Sequence, residues 1–276
     1  MSGALHSGGQ AFLDLHVPGR PLLIPNPWDA GSAKVLASLG FRALATTSGG
    51  HAATLGRLDG EVTREEALAH AAQIVAAVDV PVSADLESGF GADPAAVAET
   101  MRAAAATGLA GCSIEDYSGD PDTGLYDIAQ AADRVRAAAE AAGGMVLTAR
   151  AENFFRHRDA DLGDAIARLQ AYQEAGADVL YAPGLSDPGD VARLIAAVDR
   201  PVNVLAYPGL GSVGDLAAAG AARISVGGAF AYVALGALVQ VGRELLDEGS
   251  FEYLDRVGDG RRQAQTAFSP GGADRR

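Results

Sequence analysis

The sequence predicts an α/β fold, a closed (β/α)8 TIM-type barrel, and three observations carry that prediction. Short apolar runs alternate with Ala-rich amphipathic stretches eight times along the chain. The exits from the helical stretches repeat, Gly40, Gly108 and Gly176 standing 68 residues apart, or about two βα units each. No G-x-G-x-x-G follows the first apolar run, which weighs against an open, doubly wound sheet of the dinucleotide-binding type. A chain of 276 residues also suits the fold, since barrels of this kind run to about 250 residues.

The strands are placed at 22–25, 43–47, 82–85, 111–115, 145–150, 179–182, 202–205 and 223–226. Most are almost continuously apolar, as parallel strands buried on both faces must be. Helices are expected near 29–39, 63–78, 93–107, 127–142, 161–175, 187–198, 212–219 and 229–247. In the fifth, Leu162, Ile166, Leu169 and Tyr172 recur at helical spacing and share one face. Gly40, Gly108, Gly176 and Gly220 each close a helix before a strand, where a left-handed residue is wanted. Between them, Pro81 and Pro201 open strands and stop the preceding helix from continuing. The barrel is assigned to residues 1–257, and the polar, Gly/Arg-rich remainder, 258–276, is expected to be a disordered tail.

Composition narrows the chemistry. There are 58 alanines, and the 21 basic residues comprise twenty arginines and a single lysine, Lys34. Lys34 falls inside the first barrel helix rather than at a strand end, so a Schiff-base aldolase is disfavoured. A net charge of −14 argues against nucleic acid, whose phosphates would be repelled. The lone Cys112 precludes a disulfide framework within the chain and points to a reducing, cytoplasmic setting. The opening residues lack a basic and apolar leader pattern, and no uninterrupted apolar stretch of about 18 residues occurs, so neither export nor a membrane role is expected.

In a barrel the chemistry sits where the strands end. Asp85 and Glu87 close the third strand and, if it persists, point to one side; Glu115 closes the fourth. Three converging carboxylates call for a cation, and with no His or Cys among them the choice is Mg²⁺, or Mn²⁺, rather than zinc. The alternative is that they cap helices or pair with arginines. Arg150 ends the fifth strand, placed either to grip a substrate carboxylate or to pair with Glu115. Ser48, Gly49 and Gly50 follow the second strand as a small-residue turn whose backbone N–H groups suit a carboxylate or oxyanion, and His51 beside it is a candidate acid. The 151–159 segment offers Asn153 and His157, or is a solvated loop.

In order along the chain, P-N-P-W-D-A (25–30), T-S-G-G (47–50), L-G-x-x-D (55–59), D-L-E-x-G-F-G (85–91), S-I-E-D (113–116) and A-R (149–150) resemble the isocitrate lyase/phosphoenolpyruvate mutase superfamily. The resemblance implies a barrel that binds Mg²⁺ and handles an α-keto acid or enolpyruvate-like intermediate. Ser48, Gly49 and Gly50 would hold the substrate carboxylate or oxyanion. Asp85 and Glu87, with Asp59 and Glu115 through water, would hold the metal, and Arg150 would bind substrate. It also implies a homotetramer or homodimer in which the last helix, 229–247, is exchanged between subunits.

The departures from the family pattern matter as much. After S-I-E-D, the lyases of the isocitrate and methylisocitrate type carry K-K-C-G-H or K-R-C-G-H, and the mutases carry E-D-K-x5-N-S. Here residues 117–127 hold no Lys, Cys, His or Asn; Tyr117, Asp120, Asp122 and Tyr126 are the side chains of use. Cys112 precedes the strand end and is read as core. The expectation is a Mg²⁺-dependent C–C lyase, by retro-aldol cleavage or decarboxylation of a small 2-oxo or 2-hydroxy carboxylic acid, through a stabilised enolate. The alternatives are phosphonomutase or hydrolase chemistry, and an α-keto acid binding protein without turnover.

Overall fold

The computed structural model, described over residues 7–157 and 160–269, lays the eight apolar runs side by side as parallel strands. In chain order the first half comprises α1 (Ser7–Leu13), β1 (Leu22–Ile24), α2 (Ala30–Ser38), β2 (Leu44–Ala45), α3 (Ser48–Thr54), α4 (Arg64–Val75), β3 (Val82–Asp85) and α5 (Pro94–Ala105). There follow β4 (Gly111–Glu115), α6 (Ile128–Ala141), β5 (Val146–Arg150), α7 (Asn153–Arg156), α8 (Leu162–Glu174) and β6 (Val179–Tyr181). The chain continues through α9 (Pro188–Ala196), β7 (Val202–Leu205), α10 (Val213–Ala218), β8 (Arg223–Ser225), α11 (Ala229–Arg243) and α12 (Leu254–Phe268). A π-helical turn, Glu244–Glu248, prolongs α11.

The strand order is β1-β8-β7-β6-β5-β4-β3-β2. The seam between β1 and β2 closes through Ala45 N–H, which donates to Pro25 O at 3.1 Å. Asn26 reinforces it, donating to Thr46 O and accepting from Val226 N–H, both at 3.0 Å. The barrel helices start where their caps dictate. Asp29 with Ser32, Thr63 with Glu66 and Ser212 with Asp215 form reciprocal capping boxes, and Asp93 and Asp187 cap helices opened by Pro94 and Pro188. Each such cap contributes about 1 kcal/mol.

The core has two layers. Leu86, Met101, Leu109, Cys112, Ile114, Leu147, Leu169 and Leu180 pack between strands and helices. Inside the barrel a smaller group, Leu22, Ile24, Ala43, Ala110, Val146 and Val179, is plugged from below by Phe12 of α1. Gly111 makes room for that plug, since a Cβ there would lie 2.8 Å from the Phe12 ring and 2.9 Å from Val146 O. Cys112 is core, as expected; it is wholly buried with Sγ 3.7 Å from Met101 Sδ.

One part of the chain departs from expectation. The stretch from 258 is not a disordered tail as far as Phe268, because α12 continues through it and lies against α2. Gln263 donates to Ser38 Oγ at 2.9 Å. The helical signal is faint in so polar a sequence; residues 270–276 lie outside the described residues. In α11 only Ala231 is buried, Val233, Leu238 and Val239 face outward, and Tyr232 lines the cavity described below. Together with its π turn α11 spans 20 residues, long and apolar enough to cross a membrane by length and composition. Short α1, α3 and α7 were not foreseen.

Candidate active site

β3, β4 and β5 run in register, and their ends bring Asp85, Glu115 and Arg150 together. Arg150 Nη1 donates to Asp85 Oδ1 at 3.0 Å, and its Nη2 lies 3.1 Å from Glu115 Oε2. Glu152, two residues on and fully buried, receives Nε at 3.0 Å and Nη2 at 2.8 Å through one oxygen, Oε1. The guanidinium is thus shared by three carboxylates. Burial alone would lower its pKa, but Glu152, Glu115 and Asp85 together raise it well above the usual range. Burial pushes Glu115 well above the ordinary carboxylate range, and Glu152 above it too. Of the two roles weighed for Arg150, the structure shows the ion pair with Glu115, and it supplies part of the counter-charge that the sequence assigned to a metal.

Glu152 is held in turn from behind. Asp116 Oδ1 accepts from Glu152 N–H at 2.8 Å, while Oδ2 accepts from Tyr172 Oη at 2.6 Å and Arg168 Nη1 at 2.9 Å. A buried carboxylate with this many donors is fully satisfied and rigid.

The Thr-Ser-Gly-Gly segment is a helix start rather than a turn. Thr47 caps α3, accepting from Gly50 N–H at 3.3 Å, and Ser48 Oγ donates to Asp85 Oδ2 at 3.0 Å. Ser48 and Gly49 line the cleft; Gly50 does not. Gly50 is required for packing instead, because a Cβ would fall 2.5 Å from Thr47 Cγ2. The helix also rotates His51 away from the cleft, which overturns its candidacy as an acid. Its ring stacks on His70 with centroids 3.8 Å apart, and burial lowers its pKa.

Glu87 reaches the cleft by a route other than strand alternation. The strand stops at Asp85, Leu86 turns into the core, and Glu87 takes a left-handed φ of 48°, a conformation that non-glycine residues seldom adopt. Its N–H faces Asp85 Oδ1 at 3.3 Å and its carbonyl accepts from Glu115 N–H. Burial, then the charges of Asp85 and Asp59, push its pKa up to about 8.

These groups surround a cavity of about 700 Å³ at the carboxyl ends of the strands. Of the 117–127 side chains weighed for chemistry, Tyr117 alone lines it; Asp120 closes a local turn and Tyr126 lies under Arg134. Asn153 bonds Asp164 at 3.2 Å and, like the exposed His157, is not among the lining residues. Arg158 and Asp159 lie outside the described residues. Sequence reasoning missed Glu152, Arg156, Tyr181, Asn203, Tyr207, Arg223 and Tyr232. Arg156 lies over the Tyr117 ring at 3.7 Å and 3.5 Å from Glu115 Oε1. Glu152 and Arg156 stood inside the segment read as a loop, and their spacing of four was the available signal.

Asp59, Asp85, Glu87 and Glu115 offer only oxygen donors, the set suited to a hard divalent cation. Among the described residues no three acidic, His or Cys side chains close around one point. Asp59, Asp85, Glu87 and Glu115, with Glu152 behind them, nevertheless set five carboxylates against the two guanidiniums of Arg150 and Arg156, so the residues fit such an ion.

The family model for phosphoenolpyruvate phosphomutase matches residues 12–246. The chain belongs to that family, within the isocitrate lyase/phosphoenolpyruvate mutase superfamily. A lyase/mutase-named protein of Burkholderia cenocepacia has a crystal structure 47% identical, with a TM-score of 0.91 over 96% of this chain and 97% of that one. The 2-methylisocitrate lyase of Salmonella typhimurium is 31% identical over 67% of this chain and 65% of its own length. A phosphonopyruvate hydrolase whose crystal structure holds oxalate and Mg²⁺ shares the fold, at 23% identity and a TM-score of 0.80 over 95% of this chain and 99% of that one. This family member is thus similar to enzymes of lyase and mutase type.

Proposed function

We propose that the protein is a Mg²⁺-dependent C–C lyase, Mn²⁺ serving as well, that acts on a small 2-oxo or 2-hydroxy carboxylic acid. The observation that carries this reading is the joining of Ser48, Asp85, Glu115 and Arg150 at the strand ends over an open cleft flanked by Asp59 and Glu87. Asp85 and Glu87 would hold the ion, with Asp59 and Glu115 through water, and the bound ion would supply Lewis-acid stabilisation of the developing enolate oxygen. Ser48 and Gly49, which line the cleft at the start of α3, would help to hold the same oxygen. Arg150, anchored by Glu152, orients the substrate carboxylate, and Arg156 screens the second charge at the cleft wall. Tyr117 is the titratable side chain that the 117–127 loop places in the cleft, and it delivers the proton to the carbon left by bond cleavage.

The test is a product assay with Mg²⁺ and oxaloacetate, 2-methylisocitrate or 2-oxo-4-hydroxy acids. Pyruvate or glyoxylate should form, and Glu87→Gln and Glu115→Gln should abolish turnover. Consumption of a phosphonate seen by phosphorus NMR, or oxalate binding with no turnover of any acid, would replace this reading.

We further propose that α11 is buried against a second copy of the chain, in a homodimer or homotetramer with the helix exchanged. Its outward face of Val233, Leu238 and Leu246 is too apolar to stand in water. Acidity and the free, buried Cys112 are consistent with a cytoplasmic enzyme that engages neither nucleic acid nor membrane.

A further inference from the structure

The floor of the cavity carries the opposite charge to its rim. Asn203 and Arg223 stand beside each other in register where β7 and β8 enter the barrel. Arg223 is 5% exposed and lines the cavity, as do Asn203 and Ser225. Its Nε donates to Asn203 Oδ1 at 2.9 Å, its Nη1 to His16 Nε2 at 3.3 Å, and Asn203 Nδ2 donates onward to Ser225 Oγ at 3.0 Å.

Each of these partners is neutral. His16 Nδ1 faces Phe12 O at 3.0 Å and must carry the ring proton, which leaves Nε2 as an acceptor. Burial, then the Arg223 charge, hold that imidazole neutral, its pKa down to about 3. Among the described residues Arg223 makes no ion pair, whereas Arg150 has three and Arg168 two. A guanidinium keeps its charge at neutral pH, and a buried unpaired charge is strongly destabilising. Arg134 is buried without a carboxylate too, but two backbone carbonyls and the Tyr126 ring cap it. Arg223 instead fronts open cavity.

We propose that Arg223, Asn203 and Ser225 form a second anion site at the barrel floor, below the carboxylate layer, and that it takes a small monoanion. One unpaired positive charge calls for one negative charge. The ligand chemistry is that of a halide or of the carboxylate end of a small organic acid, and the site owes nothing to the metal reading of the rim.

Bromide and formate are the probes, titrated against the full-length protein by thermal shift, with crystals soaked in bromide for its anomalous signal. Both anions should stabilise the wild type saturably, with a bromide peak beside Arg223. Asn203→Asp places a carboxylate against Nε and supplies the counter-charge from within the chain. It should keep the fold, checked by circular dichroism, and weaken bromide binding at least tenfold; Arg223→Gln should do the same where it folds. Glu115→Gln should bind bromide like wild type, so failure of the lyase reading leaves this result standing. Displacement of bromide by formate and pyruvate identifies the site with an organic carboxylate, and resistance to both identifies a resident halide; either supports the proposal. No saturable response in wild type, or an unchanged response in Asn203→Asp, overturns it.

Discussion

Glu152 grips Arg150 side-on, one oxygen receiving both Nε at 3.0 Å and Nη2 at 2.8 Å. The guanidinium is thereby turned so that Nη1 and Nη2 face Asp85 at the end of β3 and Glu115 at the end of β4. Removing it strands three carboxylates in a largely buried site. Arg150→Gln should cost about 3–5 kcal/mol in urea denaturation. Mg²⁺ should raise the melting temperature of this variant by more than that of wild type, because a cation replaces the lost charge. Equal stability of the two proteins would contradict the arrangement.

Glu87 binds its proton more tightly in the native state than in the unfolded chain, its pKa rising from 4.5 to about 8 through burial first and the neighbouring carboxylates second. Where the native state holds the extra proton, stability falls as pH rises. Unfolding free energy without metal should therefore decline across pH 4.5 to about 8, and Glu87→Gln should flatten that decline. Denaturation curves at half-unit steps decide it; parallel slopes in the two proteins count against the assignment. Added Mg²⁺ should release the proton and reverse the trend.

Tyr172 and Asp116 meet at 2.6 Å behind the site. Tyr172→Phe leaves a buried carboxylate short of one donor, at a cost of about 1–3 kcal/mol. Because Asp116 also holds the Glu152 backbone, the substrate-saturated rate should drop along with stability, with KM for substrate less affected. A variant as stable as wild type would show that the phenol is dispensable.

Leu238 and Leu246 lie on the outward face of α11 and its π turn, 66% and 85% exposed. If a second copy covers them, sedimentation should show a dimer or tetramer at micromolar protein, and Leu238→Glu with Leu246→Glu should yield monomers. A monomeric wild type removes the proposal, and co-flotation with lipid vesicles would transfer the face to a membrane.

The eight βα units were legible because each is written locally: an apolar run of strand length, then a cap, an amphipathic helix and a glycine or proline exit. Asp85, Glu115 and Arg150 were legible for the same reason, since a strand end in a barrel has one destination. Glu87 was placed correctly on a wrong premise, as the chain leaves the strand and turns through a left-handed residue. His51 was misplaced because Thr47 converts a small-residue turn into a helix, and helical rotation carries the ring to His70.

The amino-acid sequence alone determined the barrel and the carboxylate-rich rim, which follow from periodicity and from residues at strand ends, and its ordered motifs carried the resemblance to the family. Tertiary structure decided how those charges are shared. Arg150 is claimed by Asp85, Glu115 and Glu152, while Arg223 reaches the barrel interior with neutral partners. Charge pairing depends on distance and burial between segments far apart in the chain, and no local pattern encodes it.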